Sequence, residues 1–374
     1  MHIHPFRALY PIFERIASPE EFCANAKHAF LDYQREGLLK QSEKEAIFIY
    51  QIQTAHRTHI GIVAANDIED FHVGKVVKHE RTLSEREQRQ QELLLRWGAI
   101  LKPVLLTFPP VSELSAWLHQ FSLNHVPLLH VSFAEERQEH QIWAVEQADH
   151  IAYLQHLFVQ KVPKVYIADG HHRTTTLVLL REKQDQYPDM DFGRLFCAYF
   201  ASDQLNILDY NRVVEGLNGR TPEHFFHHLG QLCVVEPIAN PRKPRHKYEM
   251  KMLFRNCWYR LRWRSELIQY AQQHNPLPAM LDVWLLNEFI LHRLLGIHDV
   301  RTDTRITYVE GSKGLKGIRK AVGEHPERIG FALHPVSFED MIRIADEGEV
   351  LPPKSTYFEP RMKSGILIKP LRRS

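Results

Sequence analysis

The sequence predicts a mixed α/β (α+β) fold. Three observations carry that expectation: segments rich in β-branched and aromatic residues alternate with segments of helical period, no internal repeat runs through the chain, and the composition is that of an ordinary globular protein. Hydrophobic residues make up 44% of the 374 positions and charged residues 25%, far from disordered, collagen-like or membrane composition. Two packed domains fit that length, as does one core with large additions. The formal net charge of +2 provides no whole-molecule field to draw nucleic acid or anionic lipid, so partners have to be inferred from sites.

Each element has a local reason. Ser18-Pro19-Glu20-Glu21 is a capping box with proline at the first helical position, and it opens a run carrying Phe22, Ala26, Phe30 and Tyr33 on one apolar stripe. Ala46–Tyr50 and Ile60–Ala64, separated by the polar Thr54–Thr58, read as a hairpin. Ser84–Arg96 is helical in composition, and Pro103–Phe108 reads as a buried strand. Strands are expected within His125–Phe133 and Gln141–Val145, a helix near His150–Gln160, and a strand over Lys164–Ala168. A helix over Thr174–Lys183 and a strand over Leu195–Phe200 follow. Pro237–Lys247 is proline-rich, basic and poor in apolar residues, and marks a candidate domain limit after Glu236. Beyond it come a hairpin over Met250–Arg264 turning at Arg255-Asn256, helices near Leu281–Leu295, Gly314–Gly323 and Ser337–Glu347, and a last strand near Gly365–Ile368.

Several function classes are disfavoured. Met1–Arg7 lacks the basic-then-apolar pattern of a signal peptide. The most apolar helical stretch, Met280–Ile297, is interrupted by Asp282, Asn287, Glu288, His292 and Arg293 and cannot face lipid. A cytoplasmic location is expected. Cys23, Cys197, Cys233 and Cys257 are scattered, with neither metal-ligand nor disulfide spacing, so reduced thiols are expected. The 24 histidines include no H-E-x-x-H helix, and His227-His228 and His2-x-His4 lack partners at ligand spacing. The basic and aromatic residues from Arg242 to Arg264 have the mix of a single-strand binder, but the alternation from Cys257 to Arg264 fits a half-buried hairpin strand better.

The segment that carries chemistry is Ala168-Asp169-Gly170-His171-His172-Arg173, placed between a strand and a helix. Such a junction presents unsatisfied backbone N–H groups and the positive end of a helix to an anion. Gly170 permits close backbone approach, Arg173 offers a planar fork for bidentate phosphate contact, and His171, His172 and Thr174 add donors. Spacing alone leaves a second reading equally open, in which this is a plain βα turn with Asp169 as the helix cap.

Residues 167–173 resemble the signature loop of the ParB/sulfiredoxin superfamily, including its free L-serine kinases, whose loop reads Asp-Gly-His-His-Arg and binds nucleotide phosphates. Along nearly its whole length the chain also resembles the bacterial family catalogued as domain of unknown function 1015. That resemblance is carried by Pro5-Phe6-Arg7-Ala8, Lys78-His79-Glu80-Arg81-Thr82, Asp203-Gln204-Leu205, Tyr210-Asn211-Arg212-Val213-Val214, Pro352–Pro360 and Lys363-Ser364-Gly365. The fold these resemblances imply is a ParB/sulfiredoxin-like core with large N- and C-terminal additions. They place a nucleotide-binding region over 1–236 and an α+β region packing on it over 237–374. His171 stands where sulfiredoxins carry their working cysteine, and no helix-turn-helix module follows, so neither sulfiredoxin chemistry nor DNA partitioning is expected.

The His-Glu pair upstream of the serine kinase loop resembles His79-Glu80. The resemblance implies a nucleotide-dependent kinase acting on a hydroxylated metabolite, L-serine first, with ATP or ADP and Mg. In that reading Glu80 and Asp169 are the catalytic carboxylates and Asp169 also holds the metal. Gly170, His171, His172, Arg173, Thr174 and Lys78 bind the nucleotide, with Arg81 as a further cation. A non-catalytic nucleotide sensor acting on a protein or nucleic-acid partner is the alternative. On residue pattern alone Lys78–Arg81 is an exposed charged turn, and Lys354-Ser355-Thr356, with Arg361 and Lys363, either closes over phosphate or is solvated. The partners expected are a nucleotide and a small-molecule substrate, with no membrane; nucleic acid is disfavoured, and a homo-oligomer stays open.

Overall fold

In the computed structural model, which describes residues 1–80 and 84–373, the chain divides into two compact units. The first comprises Met1–Asn206 with Pro360–Ser374, and the second Ile207–Glu359. Both mix helices with sheet, as the alternating pattern requires.

The first unit is organised by a nine-stranded mixed sheet. Its strands are β1 (Ile3–His4), β2 (Ile47–Gln53), β3 (Thr58–Asp67), β4 (Val76–Val77), β5 (Val104–Phe108), β6 (Leu129–Phe133), β7 (Gln138–Val145), β8 (Val165–Asp169) and β9 (Arg194–Ala201). Their spatial order is β4-β8-β5-β9-β3-β2-β7-β6, with β1 pairing on β3. The expected hairpin is β2–β3, in register from Gln53 opposite Thr58 to Phe48 opposite Val63. Central strands β5 and β9 are buried almost throughout, with apolar residues in consecutive positions, which is how a strand covered on both faces reads. Four helices of this unit matter below: α1 (Pro19–Arg35), α2 (Ser84–Trp97), α3 (Ala148–Lys161) and α4 (His171–Arg181). Ser18 caps α1 as expected, its hydroxyl accepting the Glu21 N–H at 3.2 Å. The last strand falls at Lys369–Pro370, just past the Gly365–Ile368 expected, and pairs antiparallel with Ala99–Ile100.

The second unit carries a six-stranded, wholly antiparallel sheet. The hairpin Glu249–Phe254 and Cys257–Trp263 lies within it and turns at Arg255 and Asn256, both with positive φ (47° and 62°), the backbone of a type I′ turn. The aromatic run of Cys257–Trp263 therefore packs as half of a hairpin. Glu236 lies inside the edge strand Cys233–Ile238, so the proline-rich stretch after it belongs to a loop of this unit. Pro237 is tolerated there because an edge strand has one side without a ladder partner. The helix expected over Leu281–Leu295 is α-helical only at Asp282–Leu285 and widens to a π-helix over Leu286–His292. Among the described residues, no helix is long and apolar enough to cross a membrane.

Candidate functional site

Three strands of the first unit bring the candidate residues to one edge of the sheet. β4 and β8 run parallel, with Val77 beside Tyr166, so the residues that follow them, Lys78-His79-Glu80 and Asp169-Gly170-His171, leave the sheet on the same side. β5 runs antiparallel to β8, with Leu105 opposite Asp169, which puts the residues just before β5 at that edge as well. Lys102 is one of them. Two segments about ninety residues apart in sequence, and a third between them, thus meet through strand direction.

Helix α4 begins at His171, earlier than the sequence pattern suggested, so His171, His172 and Arg173 form its first turn. Gly170 is the N-cap, with φ 112° and ψ 24°, and no side chain caps the helix. Asp169 is therefore not the cap, and the plain capped turn is excluded. The helix's own ladder starts with the Thr174 N–H donating to Gly170 O at 3.0 Å, which leaves the N–H groups before it outside that ladder. A Cβ on Gly170 would stand 2.7 Å from Arg173 Nη2, so this position needs glycine both for its φ and for the guanidinium folded across it.

Asp169 is instead the centre of a charge cluster. Its Oδ2 lies 3.2 Å from Arg173 Nη2 and 3.5 Å from Lys102 Nζ. Burial opposes its ionisation, but Arg173, Lys102 and Arg361 outweigh that and hold the carboxyl well below the usual range. Lys102 has only 16% of its side chain exposed. Burial pushes its ammonium down to about 8, with Asp169 acting to raise it and Arg173 and Arg361 to lower it further. Asp169 is 41% exposed, and pairs of that kind contribute about 0–1 kcal/mol. The cluster therefore adds little stability; it holds three cations around one carboxylate, an excess of positive charge at a helix N-terminus. Among the described residues, Arg173 Nε is buried without a hydrogen-bond partner, a donor left for something the protein itself does not supply. Lys102 and Arg173 also wall a cavity of about 80 Å³ with Leu94, Trp97, Leu101 and Phe196.

Beside this cluster His171, backed by His79, lies against Glu80. His171 Nε2 accepts the backbone N–H of His79 at 3.4 Å, which assigns the ring proton to Nδ1. That Nδ1–H faces Glu80 Oε2 at 3.5 Å. His79 and His171 stack edge to face with centroids 4.6 Å apart, and both are buried. Burial lowers His79 to about 4; burial and then His79 bring His171 well below its ordinary value. Both rings are thus neutral near pH 7, and His171 turns a neutral N–H dipole towards Glu80. It is turned inward, towards His79 and Glu80.

The remaining expected residues distribute as follows. His172 sits half-buried on the first turn of α4. Thr174 is buried, and its hydroxyl donates back to Gly170 O at 3.3 Å. Lys78 is exposed at the end of β4. Arg81 lies outside the described residues. Arg361 adds to the field at Asp169, whereas Lys363 pairs with Glu136 and lies over the Phe133 ring. Lys354 and Ser355 belong to the second unit. There the carbonyls of Pro353 and Lys354 accept from the buried Arg212 guanidinium at 3.3 and 3.0 Å, and Ser355 Oγ donates to Pro352 O at 2.5 Å. Sequence reasoning missed Lys102, since nothing local distinguishes a lysine before a strand.

Among the described residues, no group of three or more His, Cys, Asp or Glu side chains could form a metal cage. Magnesium bound with a nucleotide commonly takes one or two carboxylates and completes its shell with phosphate oxygens and water. Asp169 supplies one such carboxylate, so the residues present fit an ion shared with a phosphate and would hold it through Asp169.

Fold and site together define a mixed α/β protein with a cationic, uncapped strand–loop–helix junction beside a glutamate that lies against a histidine. The chain belongs to the family described as Protein of unknown function (DUF1015), whose model matches residues 11–284. No curated protein matches it. Among solved structures it is similar to a mutant free serine kinase in complex with AMP, at 12% identity over 83% of this chain and 92% of that one, with a TM-score of 0.42. It is also similar to a C-terminally truncated SbnI from Staphylococcus aureus, at 11% identity, 81% and 85% coverage and a TM-score of 0.43. A conserved hypothetical protein from Pyrococcus furiosus matches at 14% identity, 82% and 95% coverage and a TM-score of 0.38. At such scores the likeness is one of loose topology, and the chemistry of the site rests on this chain's own side chains.

Proposed function

We propose that the chain is a nucleotide-dependent kinase of a small hydroxylated metabolite, with L-serine the first substrate to try. The observation that carries this reading is the uncapped N-terminus of α4, ringed by Arg173, Lys102 and Arg361 and adjoining Glu80. Backbone N–H groups and two or three cations suit the phosphates of ATP or ADP. Phosphoryl transfer needs positive charge around the moving group and a carboxylate that orients or deprotonates the acceptor hydroxyl. Arg173 and Lys102 supply the first, and Glu80, beside His171, the second. Magnesium, carried on Asp169, would neutralise charge on the phosphates. The match of Asp169–Arg173 to the loop of free L-serine kinases supports the choice of acceptor.

The experiment is mass spectrometry of purified protein incubated with magnesium, L-serine and either ATP or ADP, alongside Glu80→Gln. Phosphoserine from the wild type and none from the variant supports the reading. Nucleotide binding with no product from serine or from a panel of small alcohols would overturn it in favour of a nucleotide sensor.

A further inference from the structure

A second cationic pocket lies in the first unit, and it shares no residue with the cavity of Lys102 and Arg173. It is built by the carboxy-terminal segment. Leu371 donates its N–H to Gly98 O at 2.8 Å, Asp191 N–H donates to Leu371 O at 2.6 Å, and Arg373 N–H donates to Asp189 O at 2.9 Å. Clamped from both sides, this segment presents Lys369, Arg372 and Arg373 to a pocket of about 420 Å³ that Arg7 and Arg194 also line. Among the described residues that line the pocket, the carboxylates set against these five cations are those of Glu45 and Asp191, and Asp191 already accepts the Gly193 N–H at 2.9 Å. The remaining wall includes Phe6, Pro370 and Leu371.

The telling group is Lys369. It is 4% exposed and lines this pocket, and among the described residues its ammonium makes no hydrogen bond or ion pair. Its stem is buried while its ammonium opens on the cavity, and a cation held with no protein partner at the wall of a cationic cavity is placed to meet an anion. Burial lowers this ammonium to about 8, and Asp191 only partly offsets that. An incoming dianion would supply the missing counter-charge. Five cations in excess of two carboxylates match a phosphoryl group better than a single carboxylate. The volume falls within the range of small-molecule pockets and exceeds what inorganic phosphate fills, while the apolar wall suits an organic body.

We propose that the pocket of Arg7, Arg194, Lys369, Arg372 and Arg373 is a second ligand site, which binds a phosphorylated small molecule through its phosphoryl group. This site is independent of the nucleotide reading of the Asp169 loop.

The test is a calorimetric titration of inorganic phosphate, the minimal probe, into wild type, Lys369→Met, the double variant Arg372→Gln/Arg373→Gln, and Arg173→Ala. Lys369→Met removes a buried charge, and the double variant alters only exposed side chains, so misfolding of one does not forfeit the test. The expected result is a phosphate site that each pocket variant weakens by at least about tenfold and that Arg173→Ala leaves unchanged. Phosphate binding equal in wild type and both pocket variants, absent from wild type, or lost only in Arg173→Ala would overturn the proposal. The last outcome would leave the nucleotide reading standing.

Discussion

Replacing Lys102 by methionine should make the protein more stable and worse at holding phosphate. The structure gives the size of the first effect. Lys102 is nearly buried, and its ammonium lies at about 8 against an ordinary 10.5 even with Asp169 3.5 Å away. That gap corresponds to a penalty of about 3 kcal/mol against the charged form. The unfolded chain keeps this proton up to about pH 10.5 and the folded chain only to about 8. The penalty is therefore fully present below pH 8 and disappears as pH rises towards 10.5. Methionine keeps most of the volume and removes the charge, so Lys102→Met should gain about 2–3 kcal/mol near neutral pH and converge on wild type at alkaline pH. Urea unfolding of both proteins across that range measures it; other titrating groups cancel in the difference. In parallel, affinity for ADP should fall by about tenfold or more, the usual cost of one charge-assisted contact. A variant no more stable than wild type near neutral pH, or a difference that does not change between pH 8 and 10.5, would refute the reasoning about this cluster.

Three further outcomes follow from the same geometry. Gly170→Ala forces a Cβ onto a residue with φ 112° and into the Arg173 guanidinium; a loss of about 1–2 kcal/mol, with weaker nucleotide binding, should appear in denaturation and calorimetry. His79 and His140 are buried and lowered by burial to about 4 and about 3, below the unfolded value near 6.5. Stability held above pH 6.5 should then drain as pH falls, by about 2 kcal/mol per buried histidine at pH 5, and His79→Gln should flatten that slope in urea midpoints. Arg212→Met strands the carbonyls of Tyr210, Pro353 and Lys354 that its guanidinium satisfies; trypsin should then cut near Lys354 faster than in wild type, and unchanged proteolysis would argue that those contacts do not anchor the segment.

Local chemistry made much of the fold legible. The Ser18 cap, the β2–β3 hairpin and the Arg255-Asn256 turn each depend on residues within a few positions of one another, and each forms as expected. The loop at Asp169–Arg173 was legible as a motif and Glu80 through its resemblance, but their meeting depends on the parallel pairing of Val76–Val77 with Val165–Tyr166, a long-range choice that no window of sequence contains. Lys102 was invisible for the same reason: its role exists only because β5 runs antiparallel to β8. The start of α4 was placed too late, since polar His171, His172 and Arg173 give no apolar period, and Gly170 at positive φ sets the helix start instead. The proline-rich stretch after Glu236 misled because composition marks exposure, and an exposed loop beside an edge strand has the same composition as a linker.

The start of α4 is proposed to be a phosphate cradle closed by Arg173. Isothermal calorimetry of ADP with magnesium, run on wild type and Arg173→Ala, tests it most directly. Such a cradle requires one nucleotide per chain in the wild type and an affinity reduced by about tenfold to a hundredfold in the variant, with the two proteins unfolding alike. Equal affinity in both, or no binding to the wild type, would contradict it.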